Sequence, residues 1–217
     1  IAIISELKIF FFELIILVLI SALIHKVNRR TIMILVGIYI AVPAIITLWS
    51  NFNENSASLL QWDNAFNYLM NEGYAGDSSL NRFSAIPIIA KKVFNNDISK
   101  ILFGIGFGNA EHSSFSIFDS VFYQTYGSGL KYTYFSQAMI FIETGIVGLL
   151  LYITYFISVF IIAGNKRKYV SDPEYMTFTQ LYIIFIVISI FYNSSMRIES
   201  TGYFSFLILS IPFIWEN

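Results

Sequence analysis

Cysteine is absent from the 217 residues, histidine occurs twice, and only 12% of positions are charged. Without thiols there is neither a disulfide framework nor a thiolate metal site, and redox compartment leaves no trace in the sequence. Two histidines argue against a dedicated metal site, and no cofactor is expected. So little charge cannot wet the surface of a soluble domain. What fills the chain instead is apolar: 56% of residues are hydrophobic, the mean hydropathy is +0.67, and there are 22 Phe and 14 Tyr. Lipid is therefore the expected solvent. The aromatic rings suit packing against lipid, the membrane interface, or flat surfaces for sugar rings.

A helix that crosses a hydrocarbon core of about 30 Å needs roughly 20 apolar residues. Runs of that kind place one span ending at Ile24, a second from about Thr31 to Trp49, a third from about Phe135 to Ile162 and a fourth from Met176 to Tyr192. A fifth, Tyr203 to Trp215, is short for a crossing. The expected fold is all-α: a polytopic transmembrane bundle with a long, partly helical loop. Residues 1–49 form two spans, 50–134 an outer-face loop, and 135–217 two to three spans with a short outer loop at 193–202. Six of the 13 Lys and Arg fall in two short loops, Lys26, Arg29 and Arg30, then Lys166, Arg167 and Lys168. The positive-inside rule puts both in the cytoplasm, and the alternation of spans then sends 50–134 outside. The chain opens without Met inside an apolar run, which reads as a cut from a longer protein; a cleaved signal peptide fits poorly, since no basic start and no small-x-small site is present.

Within the outer loop, Leu59, Trp62, Phe66 and Leu69 recur at helical spacing, which predicts an amphipathic helix over 57–72. A second helix is expected to start near Ser79, carry Arg82, bend at Pro87 and continue from Ile88 to Phe94. Ile101 to Asn109 is too rich in glycine for a stable helix. No internal repeat or low-complexity linker is visible.

Arg82, the Gly104-Ile-Gly-Phe-Gly108 turn and Phe141-Ile-Glu-Thr-Gly-Ile-Val-Gly148 follow one another in an order that resembles the O-antigen polymerase and O-antigen ligase family of bacterial envelope glycosyltransferases. The resemblance covers about residues 78–155. It implies an enzyme of the bacterial inner membrane, of which this chain is the C-terminal half, that transfers glycan from an undecaprenyl-diphosphate carrier on the periplasmic or extracellular side. It also implies a chain-length regulator and a flippase as partners, and no nucleic acid. The ligases of that family carry a His-Asn-type pair before the glutamate, where this chain has Tyr134 and Phe135. That departure favours a polymerase of O-antigen or capsule repeat units over a ligase acting on a lipid A-core acceptor.

The residues themselves give each candidate two readings. Arg82 presents a permanently charged planar fork suited to a diphosphate, or is a solvated loop arginine. Lys91 and Lys92 add positive field, or meet lipid headgroups. Gly104, Gly106 and Gly108 permit positive φ and an anion nest, or a tight turn back toward the membrane. Glu143, taken as roughly 12 Å inside the third span, either accepts the acceptor proton, holds Arg82 or Arg197, or bonds a neighbouring helix that Gly145 and Gly148 let approach. Glu13, in the first span, has the same ambiguity. Arg197 and Glu199 line the same cavity or form a surface pair. His112 is the outer histidine, a candidate substrate contact or a solvated loop residue. Trp62, Tyr68, Tyr74, Phe83 and Phe107 are candidate sugar platforms. With no Walker motif and short cytoplasmic loops, an activated lipid is the expected donor. The contrasting reading is a glycan exporter or other transporter; broken helices and inverted repeats, its usual marks, are not visible in the sequence.

Overall fold

The computed structural model describes residues 80–214 except Ser114 and Ile198, and before them only 16–21, 33, 36 and 37, all helical. The rest of the first two spans with Glu13, the basic loop at 25–30, the helix expected over 57–72 and the rings of Trp62, Tyr68 and Tyr74 lie outside the described residues. What is described is helical, with no strand. Six helices follow in order: α1 (Ala85–Ile88), widening into a π turn at Ile89–Val93, α2 (Ile98–Phe103), α3 (Val121–Leu130), α4 (Ser136–Lys166), α5 (Pro173–Tyr192) and α6 (Glu199–Ile214). Short 3₁₀ turns at Ser116–Phe118, Tyr132–Tyr134 and Ser195–Arg197 join them.

The boundaries follow local chemistry. Asn81 accepts the Phe83 amide at 3.3 Å while Ser84 accepts the Asn81 amide at 3.3 Å. These side-chain bonds give the backbone an alternative to helix. Arg82 therefore sits in a turn ahead of α1 and not on a helix begun at Ser79, and Pro87 falls in the first turn of α1, where no amide is needed. Asp97 caps α2 through the Ser99 amide at 3.0 Å, and Ser120 caps α3 through the Tyr123 amide at 3.0 Å. α3 stops at Lys131, which takes a left-handed conformation at φ 52°. Pro173 opens α5 at a position where its missing donor costs nothing.

α4 and α5 are long and apolar enough to cross a membrane. α4, however, is broken. Gly145 stands at φ 66°, ψ −168°, outside the helical region, so a short segment 136–144 leads into a longer one, 146–166. Apolar spacing runs through the break unchanged, which is why no broken helix was expected. A Cβ at Gly145 would lie 2.2 Å from the Leu102 carbonyl oxygen, and one at Gly104 would lie 2.3 Å from the Glu143 carbonyl carbon. The end of α2 is thus stacked backbone on backbone against the break, a contact open only to glycine at both positions. Gly148 serves differently: its hydrogen leaves room for the Thr144 side chain of its own helix.

Two apolar clusters lie on either side of this point. One gathers Leu80, Ile89, Phe94, Tyr132, Phe135, Phe141 and Ile142, so the segment 136–144 is enclosed by the loop residues before it. The other joins Phe156, Val159, Ile183, Ile186, Ile190 and Leu209 of α4, α5 and α6. Beyond the break the apolar surface of α4 turns outward, with Leu150, Leu151, Ile157 and Ile161 all exposed.

Candidate functional site

The glycine turn and the acidic helix come together. Gly104, Gly106 and Gly108 all take positive φ, at 72°, 100° and 76°. That folds the backbone over the last turn before the break. The Ile105 amide donates to the Ile142 carbonyl at 2.9 Å and the Gly106 amide to the Glu143 carbonyl at 2.9 Å. The Gly108 amide then donates to Glu143 Oε1 at 3.1 Å. The turn's earlier amides thus go to backbone carbonyls, and the Gly108 amide meets an anion of the chain's own, the Glu143 carboxylate.

The second Glu143 oxygen, Oε2, accepts from Arg197 Nη1 at 3.1 Å. Glu143 is only 2% exposed and the Arg197 side chain 23%, so this is a largely desolvated pair whose remaining oxygen the amide satisfies. Arg197 Nη2 turns the other way, to Glu111 Oε1, on a side chain that is 49% exposed. One guanidinium thus bridges a sealed carboxylate and an open one. Burial pushes the Arg197 guanidinium below its ordinary range, a shift from a value so high that the cation persists. Of the readings open for Glu143, the geometry brings it to Arg197. The depth expected for it assumed one straight span from Phe135, and the break at Gly145 removes that premise.

Arg82 is built in at the end of α5. Its Nε donates to the Tyr192 carbonyl at 3.3 Å, and its guanidinium lies 4.1 Å from the Tyr192 ring centroid and 5.7 Å from that of Phe135. Gln137 Nε2 donates to the Arg82 carbonyl. Ser136 donates to the Asn193 carbonyl through its amide at 2.9 Å and its hydroxyl at 2.8 Å. These bonds dock the start of α4 on the end of α5, so Arg82 and Arg197 both belong to the corner where α5 ends and the turn to α6 begins.

The other candidates stand elsewhere along the chain. Lys91 and Lys92 are exposed on the π turn, and Tyr134 is 47% exposed in the turn before α4. His112 pairs its Nδ1 with Asp119 Oδ1 at 2.8 Å and stacks on Tyr123 at 4.4 Å. Glu199 opens α6. Phe83 and Phe107 are exposed. Among the described residues no group of acidic, His or Cys side chains could hold a metal ion. A shallow depression between Asp172, Glu174, Tyr175, Phe178 and Ile211 lies at the opposite end of α5 and contains none of the candidates.

Sequence reasoning missed two partners. Glu111 looked like an ordinary loop acid, and Gln137 an ordinary polar residue at a helix start; each acquires its role from a residue more than fifty positions away. No protein-family model, curated protein or solved structure matches the chain.

Proposed function

We propose that the chain is the membrane-embedded part of an envelope glycosyltransferase that lengthens a surface polysaccharide from a lipid-diphosphate-linked donor. The observation that carries this reading is the convergence of three sequence features on one corner: the glycine turn wrapped on Glu143, Glu143 paired with Arg197, and Arg82 seated on the adjoining end of α5. Two arginines at one mouth suit a diphosphate, which carries its charge on oxygens that match the guanidinium fork.

Membrane residence is supported by α4, whose most apolar window is only 22% buried within the chain, too bare for the core helix of a soluble protein. Past the break, residues 146–166 alone make a rod of about 31 Å, enough for one crossing. Glu143 and both arginines then stand at the mouth of the crossing segment, not within it. The positive cluster Lys166, Arg167 and Lys168 at the far end of α4 supports placing that end in the cytoplasm of a bacterial inner membrane and the arginine corner outside.

In the reaction, an acceptor sugar hydroxyl attacks the anomeric carbon of the donor and gives up its proton to solvent, the carbon–oxygen bond to phosphate breaks, and the carrier diphosphate leaves with the electron pair. Negative charge grows on the departing oxygen, which is where a fixed guanidinium acts. Arg82 is the leading group for this. Arg197 is the second, and the exposed Glu111 is the partner that an incoming phosphate would exchange with. Glu143 has one oxygen on an amide and the other on Arg197, so its part is to hold the turn and the cation in register. The Tyr134 position favours growth of repeat units over transfer to a lipid A-core acceptor.

The break in α4 favours a second reading, a glycan transporter, since discontinuous helices line many transport paths. Here the carbonyls before the break accept from Ile105 and Gly106 and do not face a path. Reconstitution with lipid-diphosphate-linked repeat units separates the two: bond formation and chain growth support the enzyme, transbilayer movement without growth the transporter. Within the enzyme reading, Arg82→Ala is expected to leave the protein in the membrane and cut chain growth by about 10²–10³-fold. Arg82→Lys keeps the charge but not the fork, and should recover only part. Undiminished chain length in Arg82→Ala would remove the proposal.

A further inference from the structure

We propose that the segment from Phe103 to Val121 docks on the lipid surface, seating Phe103, Phe107, Ile117 and Phe118 at the headgroup–acyl boundary of the leaflet nearest Gly145; this rests on the membrane reading above but not on the enzymatic one. The four side chains are 63%, 85%, 84% and 75% exposed. Apolar residues bared together on this scale mark an interaction surface.

Three observations commit the surface to lipid. First, its level is fixed. The backbone at Leu102 and Phe103 lies against Gly145, and Gly106 and Gly108 are bonded to Glu143. Phe103 and Phe107 are therefore held where residues 146–166 begin, and like Leu150 and Leu151 of that segment they are exposed. Second, the tip is clamped open. Asp119 Oδ1 accepts from the Ser113 amide at 2.8 Å and pairs with His112 Nδ1 at 2.8 Å, while the Ser120 amide donates to the Glu111 carbonyl at 3.3 Å. The polar residues tie the base of the loop, leaving Ile117 and Phe118 at its end. Third, charge complements an anionic leaflet. No Lys or Arg lies between Ile101 and Leu130, and both acids there, Glu111 and Asp119, are engaged within the chain. Lys100, 3.7 Å from Asp97, stands exposed on the helix that leads into the segment, and Lys91 and Lys92 are exposed on the π turn before it in the chain, cations that suit headgroup phosphates.

The absence of cysteine makes a clean test possible. Phe107→Cys and Phe118→Cys are each labelled with an environment-sensitive fluorophore in the full chain and reconstituted in phosphatidylcholine–phosphatidylglycerol vesicles, with Leu151→Cys as the lipid-facing standard. The expected result is blue-shifted emission at 107 and 118, lost with lipids spin-labelled near the headgroup and resistant to an aqueous quencher. Water-like emission open to the aqueous quencher would overturn the proposal. So would shielded emission insensitive to spin-labelled lipid, which would mean that residues 1–79 or a second copy cover the face. Vesicle flotation of the unlabelled protein checks the membrane reading separately, and a protein that inserts but transfers no sugar leaves this readout intact.

Discussion

Removing Arg197 should cost far more than neutralising its partner, because the two sides of the pair are sealed to different degrees. Arg197→Ala strips the guanidinium from a carboxylate that is 2% exposed and leaves it only backbone amides, those of Gly108 and Ala110. An uncompensated buried charge of this kind costs about 3–5 kcal/mol. Glu143→Gln retains an oxygen for the Gly108 amide and leaves a cation that is 23% exposed and still paired with Glu111. Its cost should be about 1.5 kcal/mol, that of one hydrogen bond to a charged group. Together, Arg197→Ala and Glu143→Gln should cost at least about 1 kcal/mol less than the sum, since the amide side chain no longer carries a charge to strand. Equilibrium unfolding of the four proteins in one mild detergent gives the cycle. Single variants that agree within about 0.5 kcal/mol, or costs that simply add, would refute a sealed ion pair at this corner.

Two further outcomes follow from the same contacts. Gly145→Ala and Gly104→Ala each put a Cβ within 2.4 Å of backbone at a positive-φ site, so strain of about 1–3 kcal/mol is expected before the clash is counted; proteolysis between α2 and α4 should quicken in both, and unchanged cleavage would mean that the stacked backbones are not in contact. The Ser113 amide, and after it His112, hold the Asp119 carboxyl below its ordinary value of 3.8. A depressed carboxyl contributes stability above its unfolded value and loses it as pH falls through the folded one, so hydrogen-exchange protection of the Ser113 amide should persist at the ordinary carboxyl value of 3.8, be lost only on further acidification in the native chain, and show no such acid step in Asp119→Asn.

The sequence carried the local physics well and the distant physics poorly. The apolar runs expected from Phe135 and from Met176 are α4 and α5 to within a few residues, because length and hydropathy are local quantities. The positive φ of Gly104, Gly106 and Gly108 was legible from glycine at alternate positions. What the turn would hold was not, since the carboxylate arrives from 35 residues on. Arg82 was expected on a helix, and two side-chain bonds from Asn81 and Ser84 to nearby backbone put it in a turn, an energy difference too small to read from pattern. The break at Gly145 stayed hidden because its cause is the backbone of Leu102, a neighbour that apolar periodicity does not encode. The pairing of Arg197 with Glu143 was one option among several; choosing it needed the fold that brings the ends of α4 and α5 together.

The same break also separates two kinds of cohesion. The cluster around Tyr132, Phe135 and Phe141, if its surroundings are water, is held by the expulsion of water from apolar surface. The cluster around Phe156, Ile186 and Leu209, if its surroundings are lipid, gains nothing from that source and relies on close packing and on bonds such as Tyr182 to Ser205 at 2.9 Å. Urea weakens the first kind directly and has little purchase on the second. Gly145 is then a joint between two halves held by different forces, and the arginine corner, gripped by Glu111 and Glu143 on one side and by the end of α5 on the other, is sewn across it.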